Sequence, residues 1–403
     1  MNRHPWQFAI LIFCVAGFVY WGAARAFHHL NTPDVAYFNH LAAAFLRGEL
    51  YLADPPSTHD LTLYAGKWYV PFPPLPALLM LPWIALFGLP TLNTTLFCIL
   101  LGALNVTLVY LLLHTLAAHR QLQLTQSALV WLTVLFGVGS VHWYMATIGS
   151  VWFVAQVATV TFVALATWSA AANRSPWLTG IALALAMTAR PNVLFTWPLL
   201  CGIAIGYLPH SSEAQNSRWR AGLLWAVRSA IPMVIALTLL LLYNYARFDD
   251  PLNFGYRTEN VAATLAPKLQ TYGQFNVHYL PKNVWAMWLA GPQWNEEINF
   301  WVPNPEGMSL LLTTPALIYL GRARARTPLA IGAWLSLILL MIPLLLYYNT
   351  GWWQFGYRFS LDFMLPVMVL LALATPPRMS WAMRLLIVAG VVVNAYGVYW
   401  WHR

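Results

Sequence analysis

A carboxylate can take a proton from a hydroxyl, and a guanidinium or ammonium group can hold a phosphate. This chain offers few of either: 12 Asp and Glu and 21 Lys and Arg in 403 residues. Asp34 follows the first apolar run closely. Lys67 is one of three lysines and lies in Tyr64-Ala65-Gly66-Lys67-Trp68-Tyr69, just ahead of another apolar segment. Arg190 interrupts a long apolar stretch at Thr188-Ala189-Arg190-Pro191. Ionisable groups in such places are costly and mark functional sites or buried pairs. Asn253-Phe254-Gly255-Tyr256-Arg257 and Gly356-Tyr357-Arg358 each set a guanidinium among aromatic rings. Aromatic faces take the apolar side of a sugar, and guanidinium takes a phosphate. A sugar joined to a phosphate would suit such residues. Each also has a plainer reading: Asp34 as a helix-dipole partner, Lys67 as a snorkelling side chain, the aromatics as an interfacial belt. The belt does not explain Arg257 and Arg358, which fall on the side where positive charge is disfavoured.

Other chemistries lack their signatures. No phosphate loop, GxGxxG, HExxH or G-x-S-x-G occurs. His142 and His278 have no ligand spacing, and Cys14, Cys98 and Cys201 sit in apolar runs as small core residues. No metal site or cofactor is expected.

The residues must be positioned by membrane helices. The chain is 60% hydrophobic and 8% charged, where a soluble domain carries about a quarter charged residues. A single polytopic all-α membrane domain over 1–403 is expected. Apolar segments run over 7–23, 74–88, 93–118, 127–144, 150–171, 176–189, 191–208, 222–245, 307–321, 327–348, 362–376 and 383–400. Arg3, Arg218, Arg220, Arg228, Arg322, Arg324, Arg326, Arg378 and Arg384 mark cytoplasmic ends. They account for the net charge of +9 without nucleic acid. Outer loops then fall at about 24–73, 246–306 and 349–361, with most of the acids; Glu213 alone is cytoplasmic. The N-terminus is inside and the C-terminus outside, so the crossings are odd in number, about 11. Segment 74–88, opened by Pro71-Phe72-Pro73-Pro74, is the one expected to lie at the interface or re-enter. The first apolar run resembles a signal peptide but is read as an uncleaved span. Thr32-Pro33-Asp34 reads as a helix start, followed by Phe38, Leu41, Ala42 and Phe45 on one face and Gly48 at the end. This predicts an amphipathic helix lying on the outer surface.

Taken together, the chain resembles GT-C superfamily membrane glycosyltransferases, in particular the family 39-like bacterial relatives of dolichyl-phosphate-mannose protein mannosyltransferases. The likeness rests on Asp34 ahead of Tyr37 to Gly48, on Leu50-Tyr51-Leu52, on Phe72-Pro73-Pro74-Leu75-Pro76-Ala77 and on Thr188-Ala189-Arg190-Pro191. Tyr243-Asn244, Phe254-Gly255-Tyr256 and Gly356-Tyr357-Arg358 add to it. The resemblance implies inverting transfer of a sugar from a polyprenyl-phosphate-linked donor to a lipid or glycan acceptor at the outer face of the inner (plasma) membrane. It implies Asp34 as general base. Lys67, Arg190, Tyr256, Arg257, Tyr357 and Arg358 would bind the donor. One departure is that Val35 follows Asp34, where many members carry a second acid. The alternative is a transporter or flippase of a lipid-linked glycan.

Overall fold

The computed structural model describes residues 5–208 and 215–401. Arg3 and Glu213, used above for orientation, lie outside the described residues, as does the side chain of Arg218.

Apolar runs become helices here because lipid cannot satisfy backbone N–H and C=O groups, so each run must satisfy its own. α1 (Pro5–Ala26) brings the chain to one end of a bundle, the site end. Across that end lie α2 (Tyr37–Leu46), a hairpin of β1 (Thr62–Tyr64) and β2 (Lys67–Tyr69), and α3 (Leu75–Phe87). α4 (Thr94–Ala118) runs to the far end; α5 (Gln126–Val138) returns, followed by the short α6 (His142–Ala146). α7 (Val151–Ala171) and α8 (Pro176–Met187) make the next pair. A 3₁₀ turn over Pro191–Thr196 leads into α9 (Trp197–Ile205), and α10 (Gln215–Phe248) comes back. The site end then carries α11 (Ala266–Tyr272), α12 (Leu280–Val284) and a hairpin of β3 (Gln293–Asn295) and β4 (Phe300–Val302). α13 (Leu310–Thr313) and the 3₁₀ segment Pro315–Arg322 lead away, and α14 (Pro328–Leu345) returns. A 3₁₀ turn over Arg358–Phe363 continues into α15 (Met364–Ala374), and α16 (Trp381–Trp401) ends at the site end.

α1, α4, α5, α7, α8, α9, α10, α13 with its 3₁₀ continuation, α14, α15 and α16 follow one another as eleven successive segments among the described residues. α3 is the segment that does not pass. Leu75 N donates to Thr188 O at 2.9 Å at its start, and beyond its end Asn93 Nδ2 donates to Leu30 O at 2.7 Å, beside the end of α1. Both ends of α3 are therefore held at the site end. Six helices among the described residues are long and apolar enough to span a membrane by length and composition. The remaining passes are shorter, several being completed by 3₁₀ turns.

Two expectations change. Segment 307–321 is not one helix. Thr314, at φ −140°, precedes Pro315, and a residue before proline is pushed out of the helical region. Nor does α2 start at Thr32. Its N-cap is Ala36, with no side-chain cap. The Thr32 hydroxyl accepts instead from Thr94 N at 3.2 Å, which ties the loop to the start of α4. Asp34 thus precedes the helix rather than occupying its first turn.

Close packing sets where the site-end segments stand. A Cβ on Gly332 of α14 would strike Pro198 O, and one on Gly202 of α9 would strike Pro328 O. The α9 and α14 backbones therefore meet directly, as small residues allow in membranes. The pairs Pro198–Gly332 and Gly202–Pro328 run α9 antiparallel along the first half of α14, so the turn ahead of α9 and the end of α14 both point toward the cavity described next. α1 belongs to the same core: Tyr20 is fully buried and its hydroxyl donates to Gly137 O at 2.6 Å. The far end carries Arg120, Arg174, Arg322, Arg324, Arg326 and Arg378, while Asp34, Asp60, Asp250, Glu259 and Glu306 lie at the site end.

Candidate functional site

A cavity of about 220 Å³ opens at the site end. Pro71–Pro73 ahead of α3 and Pro343–Leu344 of α14 give it apolar walls. Trp152 and Gln156 come from the first turns of α7, and Arg190 and Asn192 from the junction before α9. Tyr256 and Glu259 come from the second long loop, Tyr347 and Tyr348 from the end of α14, and Arg358 from the turn before α15.

The two arginines differ in their partners. Arg190 reaches Asp362 Oδ2 with Nε at 3.1 Å and Nη2 at 2.7 Å, and Asn192 Nδ2 donates to the same oxygen at 2.8 Å. Asp362 is almost wholly enclosed, its side chain 1% exposed. This ion pair is electrically neutral and held rigid. Arg358 is buried, with its guanidinium carbon 5.4 Å from the Phe153 ring centre and 5.3 Å from that of Phe359. Among the described residues no carboxylate stands within salt-bridge distance of it. Its Nε has no hydrogen-bond partner. Gly351, at φ +104°, makes the room: a Cβ there would lie 2.9 Å from that Nε. A buried guanidinium that forms no salt bridge is costly, and its free Nε leaves room for an anion.

Two carboxylates face the same space, brought together by backbone pairing between distant loops. Asp60 N donates to Asn260 O at 3.0 Å, and Asn260 N donates to Leu61 O at 2.8 Å. Thr62 and Glu259 form a bridge in the same ladder. The Trp152 indole donates to Asp60 Oδ2 at 3.0 Å. Burial raises the Asp60 carboxyl above its ordinary value, while His59, Arg358 and the indole draw it part of the way back. Glu259 is raised well above the usual range, by burial first and then by the charge of Asp60; the Tyr348 hydroxyl, donating to Oε2 at 3.2 Å, offsets some of this. The environments push both carboxyls upward, Asp60 against cationic neighbours and Glu259 without them. Positive charge opposes the rise at Asp60 and like charge adds to it at Glu259, so of the two Glu259 holds its proton more firmly.

One solved structure shares this architecture. The crystal structure of ArnT from Cupriavidus metallidurans, bound to undecaprenyl phosphate, matches 95% of this chain with a TM-score of 0.52 and 16% identity. The fold is of the GT-C type. This chain spans 63% of the ArnT chain. No protein-family model matches, and no curated protein matches.

Within this GT-C fold the residues singled out in the sequence separate into two groups. Arg190, Tyr256 and Arg358 line the cavity. Tyr357 is fully buried next to Phe359, its ring centre 5.8 Å away, and does not line it. Lys67 is exposed on the β2 strand, its Nζ 4.3 Å from the centre of the Tyr51 ring. Arg257 is exposed and pairs with Asp250 Oδ2 at 3.3 Å. Asp34 is exposed outside the lining. It is nevertheless close to the site: burial pushes the Tyr37 hydroxyl up to about 12, with Asp60 and Asp34 both adding to the rise. Asp60, Glu259, Tyr347 and Asp362 were given no role in the sequence. Only their loop positions hinted at one. Among the described residues no group of three or more His, Cys, Asp or Glu side chains is placed to hold a metal ion.

Proposed function

We propose that the chain transfers a sugar from a polyprenyl-phosphate-linked donor to an acceptor in this cavity, on the outer side of the membrane. The observation that carries the reading is Arg358: a buried guanidinium that forms no salt bridge among the described residues, in a cavity that also presents Asp60. The fold neighbour captured with undecaprenyl phosphate supports the lipid-phosphate part. In this reading the donor phosphate rests against Arg358 and the outer edge of Arg190, and its lipid lies along the proline-rich wall. A carboxylate takes the acceptor proton as the acceptor oxygen attacks the anomeric carbon. The bond to the phosphate breaks, and the arginines balance the charge that develops there. A single displacement of this kind inverts the anomeric centre. The arginines do the charge balancing, so the scheme uses no metal.

The resemblance gave the proton-accepting role to Asp34. The geometry favours Asp60, which stands in the cavity wall and is held by Trp152. The outward orientation rests on the arginine-rich far end.

The test is transfer of labelled sugar from a polyprenyl-phosphate sugar in membranes that contain the full chain. Asp60→Asn is expected to lower transfer by about 10²–10⁴-fold, with Asp34→Asn close to the parent. The reverse result returns the base to Asp34. Full activity in both variants removes the base assignment. Movement of label across the membrane without a covalent product identifies a transporter.

A further inference from the structure

Between the arginines and the acids the cavity is lined by phenols. Tyr256 and Tyr347 stand edge to face with ring centres 6.5 Å apart, and Tyr348 packs on Tyr347 at 4.7 Å. Tyr348 then donates to Glu259 Oε2. Among the described residues no group donates to Glu259 Oε1, and Glu259 lines the cavity. Tyr256 and Tyr347 therefore lie within electrostatic reach of both Arg190 and Glu259.

On the reading that the arginines hold a lipid phosphate, we propose that Glu259, beside Tyr256 and Tyr347, is the donor-sugar subsite and selects a hydroxyl-rich sugar that carries no carboxylate. The phenol rings supply flat apolar faces for a pyranose. Glu259 Oε1 is left to bond a hydroxyl, which can donate or accept and so suits either state of the carboxyl. A sugar bearing its own carboxylate would bring a further negative charge beside Asp60 and Glu259, where burial makes like charges costly. Among the described residues the lining cations are Arg190 and Arg358, and in this reading both are engaged by the phosphate.

Equilibrium binding to the purified full chain tests this. The probes are polyprenyl phosphate alone, the same lipid carrying a neutral hexose, and the same lipid carrying a hexuronic acid. The hexose lipid should bind about tenfold or more tighter than the hexuronate lipid. Glu259→Leu should weaken the hexose lipid by about tenfold and leave polyprenyl phosphate alone unchanged, and Glu259→Gln should stay within a few-fold of the parent. Equal binding of the two sugar lipids overturns the proposal. So does a Glu259→Leu variant that loses the bare lipid phosphate as strongly as the hexose lipid, since that marks a structural role. If Glu259→Leu raises only the KM of the acceptor, the hydroxyl-rich ligand is the acceptor and the donor assignment falls. Failure of the parent chain to bind polyprenyl phosphate at all would instead overturn the function reading, and this inference with it.

Discussion

Arg190 and Asp362, 172 residues apart, meet at a single carboxylate oxygen, which also accepts from Asn192. The contact ties the α8–α9 junction to the turn before α15 and fixes one cavity wall. Removing one partner of such a pair leaves an uncompensated buried charge. Asp362→Ala should therefore cost about 3–5 kcal/mol of stability. Asp362→Asn, which still accepts a hydrogen bond, should cost less. Unfolding in detergent, followed by loss of helical signal, measures both. An unchanged midpoint in Asp362→Ala would show that the pair does not hold the wall.

Arg358 should behave differently. No carboxylate forms a salt bridge with it and Asp60 feels its charge only through space, so Arg358→Gln should cost far less stability than breaking the Arg190–Asp362 pair. Charge-assisted hydrogen bonds to a phosphate are worth about 1.5–3 kcal/mol, so the same change should raise the donor KM by roughly 10–100-fold. Stability and kinetics measured on one preparation separate this from general damage. A variant that unfolds while keeping donor affinity would contradict the anion-site assignment.

Gly351 links loop geometry to that guanidinium. At φ +104° an L side chain is strained, and a Cβ would stand 2.7 Å from Gln354 Oε1 and 2.9 Å from Arg358 Nε. Gln354 also receives Arg358 N at 2.9 Å, so the turn moves as a unit. Gly351→Ala should cost about 1–3 kcal/mol in strain and displace the arginine, raising donor KM more than it lowers kcat. Kinetics with the donor varied would show this, and an unaltered KM would count against it.

The acids give a pH signature with two signs. As the base, Asp60 must be ionised, so transfer falls as the pH drops through its raised pKa. The acid limb therefore lies above 3.8, the ordinary Asp value. Stability runs the other way. Glu259 has a folded pKa above its unfolded value of 4.5, so the folded state binds the extra proton. That contribution is complete below 4.5 and is lost as the pH rises through the folded value. Glu259→Gln should flatten this part of the stability profile. Thermal midpoints across the range check it; a variant with the parent's slope would contradict it.

Much of the architecture was legible because lipid leaves an apolar run few options. The even count of segments exposed the non-crossing one, and the prolines ahead of Leu75 identified it as α3. Composition was silent on the break at Thr314-Pro315, since all of 307–321 is apolar enough to read as a span. At the site, Arg190 and Arg358 stood out as charges where charge is costly. Asp60 and Glu259 did not, because only the ladder between the loops around Leu61 and Asn260 brings them together. Lys67 and Arg257 had the right charge in the right loops. They nevertheless face outward, since side-chain direction there is decided by a hairpin turn at Ala65-Gly66, both at positive φ, and by pairing with Asp250.

The most direct measurement is an experimental structure of the full chain in a lipid environment with polyprenyl phosphate added. The account predicts phosphate density within hydrogen-bond reach of the Arg358 guanidinium, close to Arg190, with Asp60 facing the side where a sugar would lie. Phosphate bound elsewhere, with Arg358 still facing an empty cavity at saturating lipid, would contradict it.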